Sequence, residues 1–245
     1  MRSLSASELL NVWEWGRTQP PWSRALRLLA TACPETPIDV LGKLSIGQRD
    51  ALLLTLREWS FGSKLVSLAV CPSCGERLEL NFNVADIRVA PPSEPVEMIS
   101  LSVADYEISF RLPNSLDLMA IASHKHLATA ADILVERCLV KVAHNDADVL
   151  VNQLPPHIID VVAEQMAQAD PQAEVQLAVS CPACCHQWQP LFDIGSFFWI
   201  EINAWAFRVL REVHTLATAY GWREADILAM SPNRRQLYLE MVVSK

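Results

Sequence analysis

The feature that most restricts how this chain can fold is a pair of matching cysteine turns, Cys71-Pro72-Ser73-Cys74-Gly75 and Cys181-Pro182-Ala183-Cys184-Cys185. A C-P-x-C turn aims two sulfurs at one point and leaves backbone N–H groups free to bond them. Two such turns supply the four thiolates that a tetrahedral zinc ion takes. The likeness extends past the cysteines. Val66-Ser67-Leu68-Ala69-Val70 precedes the first turn, and Val175-Gln176-Leu177-Ala178-Val179 precedes the second, with Ser180 as one extra residue. Beyond the turns, Leu78 aligns with Trp188, Phe82 with Phe192, Asn83 with Asp193 and Val84 with Ile194, all at one offset. A strand–knuckle–strand unit therefore occurs twice, as the two halves of a zinc ribbon split by a long intervening stretch.

Cys71, Cys74, Cys181 and Cys184 are the expected ligands of one zinc ion per chain. Four protein ligands leave no open position for water or substrate, so the ion would be structural. Such an ion contributes roughly 10–16 kcal/mol of apparent binding energy in small peptides. Two other readings compete: unmetallated thiol turns, and a thioredoxin-like redox pair. The latter wants one C-x-x-C opening a helix in a βαβ unit, whereas both turns here sit between strand-like runs. Cys185 takes the place of Gly75, so either it or His186 could displace a neighbouring ligand. Cys33 and Cys138 lie in apolar helical patterns and read as core.

Seven cysteines, an odd number, do not suit a disulfide framework in a chain with no apolar leader after Arg2. The expected location is the cytoplasm of the producing cell. No apolar run is long enough to span a bilayer, because Glu201, Asn203 and Arg208 interrupt the greasiest one. Apolar residues make up 51% and charged residues 20%, enough for a sizeable core. The net charge of −8 disfavours broad binding to phosphate backbones.

The fold class expected is α+β and mostly helical: a split zinc ribbon flanked by helices, with an inserted small β-hairpin plus helices. Residues 1–62 form an N-terminal helical region, 63–86 and 173–194 the ribbon, 95–170 the insertion, and 195–245 a C-terminal helical arm. Periodicity predicts helices over 5–17, 22–33, 45–59, 115–123, 129–143 and 156–169. Ser45 with Gln48 forms a capping box, and Pro156 suits a first turn. Alternation in Tyr106, Ile108 and Phe110 predicts a strand paired with 96–103, after a linker at Pro91, Pro92 and Pro95. Phe198, Ile202, Trp205, Val209, Val213, Leu216 and Tyr220 share one helical stripe. Gly221 ends that helix, and Ser231-Pro232 opens the last one.

No catalytic residue emerges. HExxH, GxSxG, P-loop and GxGxxG motifs are absent from the sequence. His124 and His126 read as a solvated helix end, and His214 as a helix-surface residue. Asp146 and Asp148 lack the glycine and glutamate of a calcium loop. The hairpins carry carboxylates rather than a basic stripe, which leaves a nucleic-acid-binding or transcription-associated ribbon as the alternative, with Arg234 and Arg235 as its candidate contacts. Eight tryptophans are many for this length. Phe197, Phe198 and Trp199 are consecutive and cannot all face one core, so some aromatics are candidate anchors for another chain.

Two stretches carry a resemblance. The first is Arg49-Asp50-Ala51-Leu52-Leu53-Leu54-Thr55-Leu56-Arg57-Glu58-Trp59-Ser60-Phe61-Gly62 followed by the first knuckle. The second runs from the later knuckle through Phe192-Asp193-Ile194-Gly195-Ser196-Phe197-Phe198-Trp199 to Arg211-Glu212-Val213-His214, then from Tyr220-Gly221-Trp222 to Tyr238. Over about residues 40–85 and 175–243 the chain resembles baseplate-associated, hub-assembly-like proteins of contractile-tailed phages and phage-tail-like contractile injection systems. The family pattern has glycine after each second knuckle cysteine, and Cys185 departs from it. The resemblance implies a non-enzymatic role in building the baseplate. Other baseplate and tail proteins would be the partners, without nucleic acid, membrane span or small-molecule substrate.

Overall fold

The computed structural model describes residues 1–90, 98–122, 127–145, 147–150 and 153–243. Pro91, Pro92, Pro95, His124, His126 and Asp146 lie outside these residues. Along the chain run α1 (Ala6–Gly16), α2 (Pro21–Ala32), α3 (Ile38–Gly42), α4 (Ile46–Phe61), β1 (Lys64–Val70), β2 (Arg77–Asn83), α5 (Val84–Ile87), β3 (Ile99–Val103), β4 (Tyr106–Phe110), α6 (Ser115–Ile121), α7 (Leu127–Cys138), β5 (Leu139–His144), β6 (Ala147–Asp148), α8 (Pro156–Ala169), β7 (Val179–Ser180), β8 (Gln187–Trp188), α9 (Ile194–Tyr220), α10 (Glu224–Leu228) and α11 (Pro232–Val243). The fold is α+β, with small antiparallel sheets. It divides into two compact units, Met1–Thr36 with Ile194–Lys245, and Pro37–Asp193.

The first unit is helical. Ser5 and Glu8 cap α1 reciprocally, and the Arg2 guanidinium beside Glu8 holds that carboxyl down at about 2. Leu9, Val12 and Trp13 from α1, Leu28, Leu29 and Ala32 from α2, and Phe198, Ile202, Ala206 and Val209 from α9 form its interior. The stripe expected on α9 is thus largely buried, with Ala206 rather than half-buried Trp205 completing it. The three consecutive aromatics separate as helix geometry requires. Phe198 is fully buried, whereas the Trp199 ring lies where a Cβ on residue 16 would be, so only glycine fits there. Arg24 stacks over that ring at 4.6 Å and donates to the Gly16 carbonyl at 2.8 Å. Trp13 donates its indole N–H to Asn203 Oδ1 at 3.0 Å. Arg235 corrects an expectation. It is buried, bonded to Glu212 at 2.9 Å and to the Met230 carbonyl at 2.8 Å, and so fastens α11 to α9 instead of facing a nucleic acid.

In the second unit, Ser45 and Gln48 cap α4 as expected. Buried Arg57 donates to the carbonyls of Gly62 and Lys64 at 2.7 and 2.8 Å, tying the end of α4 to the start of β1. Leu53, Leu54, Leu56 and Arg57 fill the buried face of α4, and Trp59 is 48% exposed. The sheet order β3-β4-β5-β6 was only half anticipated. The helix expected over 129–143 stops at Cys138, and Leu139–His144 is a strand whose register on β4 runs from Tyr106 opposite His144 to Phe110 opposite Leu139. Ile108, Phe110, Cys138, Val142, Ile158 and Val162 pack beneath it. Asp117, capping α6 with Asn114, receives Arg111 at 2.6 and 2.8 Å and Arg137 at 3.1 Å. Burial raises the Asp117 carboxyl, but the Arg111 bonds, the Asn114 N–H and Arg137 outweigh it and hold it low. Buried Gln172 accepts from the Val89 N–H at 2.7 Å and donates to the Ile87 carbonyl at 3.2 Å. The chain thus leaves for the four-stranded sheet and returns from it beside one side chain.

Candidate metal centre

Each knuckle is built by its own strands. β1 and β2 pair over seven rungs, from Lys64 opposite Asn83 to Val70 opposite Arg77. The Cys71 N–H then bonds the Glu76 carbonyl at 2.8 Å, and the Gly75 N–H bonds the Cys71 carbonyl at 2.9 Å. Gly75 has φ +78°, the left-handed conformation glycine adopts without cost. The second knuckle repeats this wiring. The Cys181 N–H bonds the His186 carbonyl and the Cys185 N–H bonds the Cys181 carbonyl, both at 2.9 Å. Cys185 stands at φ +59°, a conformation that costs an L-residue about 1–2 kcal/mol.

The two knuckles meet. Cys71, Cys74, Cys181 and Cys184 place their sulfurs within 4.8 Å of one another. The shortest cross-hairpin separations are 3.7 Å from Cys71 to Cys184 and 3.6 Å from Cys74 to Cys181. Zn–S bonds of about 2.3 Å in a tetrahedron put sulfurs about 3.8 Å apart, so the set fits that ion. Cys71 and Cys181 are buried, and Cys74 and Cys184 face outward. Beneath the sulfurs, Leu78, Val179, Leu80, Leu177 and Trp188 pack together with the two buried cysteines. At the other end, Phe82 and Phe192 meet edge to face at 5.5 Å. Two of the pairs matched by the repeat, Leu78 with Trp188 and Phe82 with Phe192, are thus neighbours in space.

The thiols respond to this crowding in opposite directions. Burial pushes Cys71 up, but the Cys74 and Ser73 N–H groups and the Cys74 and Cys184 side chains outweigh it and bring it down to about 7. At Cys74 the Glu76 N–H lowers the thiol, yet Cys184, burial, Cys181 and Cys71 together raise it to about 12. Sulfurs this close cannot all ionise without a compensating charge. A divalent cation supplies that charge, which is the chemistry this donor set offers.

The remaining candidates fall elsewhere. Cys185 is exposed and His186 stacks on Trp188 at 5.9 Å; neither belongs to the sulfur cluster. Cys33 and Cys138 are buried, and burial pushes the Cys138 thiol up to about 11. His214 and Asp148 are exposed. Sequence reasoning missed one polar cluster in this unit. Asp170 accepts from the Gly47 N–H at 2.8 Å, and buried Asp50 pairs with Arg49 at 2.8 Å within electrostatic reach of Asp170 and Asp193. These carboxylates lie far apart in sequence, and no local spacing announces them. Among the described residues, no helix is long and apolar enough to cross a membrane.

One protein-family model, described as T4 bacteriophage base plate protein, matches residues 6–199. No curated protein and no solved structure matches the chain.

Proposed function

The chain belongs to the T4 bacteriophage base plate protein family, and from that premise we propose that it is a non-enzymatic assembly or structural component of a contractile tail baseplate, fastened by one structural zinc ion. Phages and phage-tail-like injection systems both fall within this reading, and hub assembly is the stage it fits best. The observation that carries it is the convergence, within one compact unit, of four sulfurs from two knuckles far apart in the sequence. Cys71, Cys74, Cys181 and Cys184 hold the ion as thiolates. With no position left open, the ion stabilises a split ribbon and does not activate water.

The partners are other tail proteins, and the contacts are protein to protein. The net charge of −8 and the burial of Arg235 both weigh against a nucleic-acid partner. The chain works in the cytoplasm during tail assembly, and from there it enters the particle.

The test is co-expression of the full chain with the other tail proteins of its particle, with purification of tails and measurement of bound metal. One zinc per chain and co-purification with tail intermediates support the reading. Tails that assemble normally without the chain would overturn the assembly role. A chain purified anaerobically without metal, and folded regardless, would overturn the zinc.

A further inference from the structure

We infer that the cleft between the two hairpins is a docking groove for an extended, basic segment of a partner protein, which adds a strand to the free edge of β2. This rests on the reading of the chain as a tail component that works through protein contacts.

Hydrogen-bond parity sets the geometry. Cys71 bonds to Glu76 and Val84 to Ser63, so in the β1–β2 register Leu65, Ser67 and Ala69 exchange bonds with Phe82, Leu80 and Leu78. The N–H and C=O groups of Glu79 and Asn81 therefore point away from β1. The second hairpin follows the same parity: Leu177 bonds to Pro190, Phe192 to Val175 and Cys181 to His186, which turns Gln176 and Ala178 outward. Among the described residues, no backbone hydrogen bond takes up these outward groups.

Both edges line one cleft of about 360 Å³. That volume lies within the range of binding sites, roughly 300–1,000 Å³. Leu80, Phe82, Leu177 and Val179 supply its apolar lining, and its only ionisable lining residues are Glu79 and Asp86. Natural sheets blunt an unpaired edge with a very short strand, proline, a bulge or charged side chains. β2 is seven residues long, carries no proline and keeps an unbroken register with β1, and its charges are Arg77 beside the knuckle and Glu79 at the cleft. An edge left open beside an apolar, acidic-flanked cleft is built for strand addition: main-chain bonds give affinity, and alternate side chains give specificity. The fitting occupant alternates apolar residues and carries Lys or Arg opposite Glu79 and Asp86. An acidic or helical segment does not fit.

The probe is a set of short overlapping peptides covering the other proteins of the tail, titrated against the zinc-loaded full chain. Asn81→Pro deletes one outward N–H that the hairpin does not use, as edge strands tolerate. Asn81→Ala removes the side chain but keeps that N–H, and Glu79→Lys reverses the charge. The expected result is binding by basic, alternating peptides. That binding weakens about tenfold or more in Asn81→Pro and in Glu79→Lys, and is unchanged in Asn81→Ala. If Asn81→Pro fails to fold, Glu79→Pro replaces it, removing the neighbouring outward N–H of β2, with the same expectation. Binding unaffected by the proline and charge variants, peptides that are acidic, or no binding by any peptide would overturn the groove. Incorporation into tails separates the two readings. Tails that form equally well with wild-type and Asn81→Pro chains sink the groove alone, whereas tails that assemble normally without the chain sink the assembly role.

Discussion

The two hairpins carry the same knuckle but are held differently. The first has seven ladder rungs, a glycine where the turn needs a left-handed residue, and a buried arginine clamping its entry. The second has two rungs, an isolated bridge between Gln176 and Leu191, and a cysteine in the left-handed position. Its ladder is interrupted because Pro190, opposite Leu177, has no N–H to give. A two-rung hairpin is marginal alone. The first hairpin, with its longer ladder and the Arg57 clamp, therefore depends less on the sulfurs than the second, which relies on them and on its packing against the first.

The strongest way to break this contrast is Cys181→Ser. Loss of the centre should cost several kcal/mol of the roughly 10–16 kcal/mol such ions supply. Hydrogen exchange should show amides of 175–192 losing protection while those of 64–83 retain it. Equal loss in both would mean that the hairpins form one cooperative unit.

Next in size is a pH effect. Asp50 lies within electrostatic reach of Asp193, the residue that ends the second hairpin's return strand. Burial raises its carboxyl from 3.8 to about 6, against the opposing pull of Arg49. Because the folded value is the higher one, its contribution is full below pH 3.8 and disappears as pH rises through 6. Between about pH 5 and 7.5 the chain should lose roughly 1.4 kcal/mol from this group. Asp50→Asn, compared with the wild type in denaturant titrations across that range, should abolish this part of the slope. An unchanged slope would assign it elsewhere.

Gly75→Ala should destabilise by about 1 kcal/mol, because nothing crowds the site and only the positive φ resists a side chain. The reciprocal change, Cys185→Gly, should stabilise by up to about 1 kcal/mol and leave the zinc content at one per chain. If it instead lowers metal occupancy, Cys185 is a ligand, and the two knuckles are not equivalent.

Both knuckles and most helices were legible because their signals are local: cysteine spacing, the Ser45–Gln48 cap, Pro156, and the stripe on α9. Local signals failed where a distant partner decided the outcome. Leu139–Ala143, apolar apart from Lys141, suits either a helix or a strand, and the edge of β4 made it a strand. Arg235 read as a candidate nucleic-acid contact, but Glu212 on α9 takes up its charge. The closeness of the four sulfurs was expected from the repeat, but the short second ladder was not. Repeat alignment compares side chains and overlooks the proline that withholds a backbone donor.

Gln172 has one more implication. From the returning chain it grips the outgoing chain at Ile87 and Val89, and the sequence strung between them is tied back to α4 at two more points, Pro113 to the Ile46 N–H and Asp170 to the Gly47 N–H. A graft that keeps Pro113, Asn114, Asp170 and Gln172 should leave the thiolate geometry undisturbed, which makes the exposed turn between β3 and β4 at Ala104 and Asp105 the natural place to splice in a tag or a foreign module.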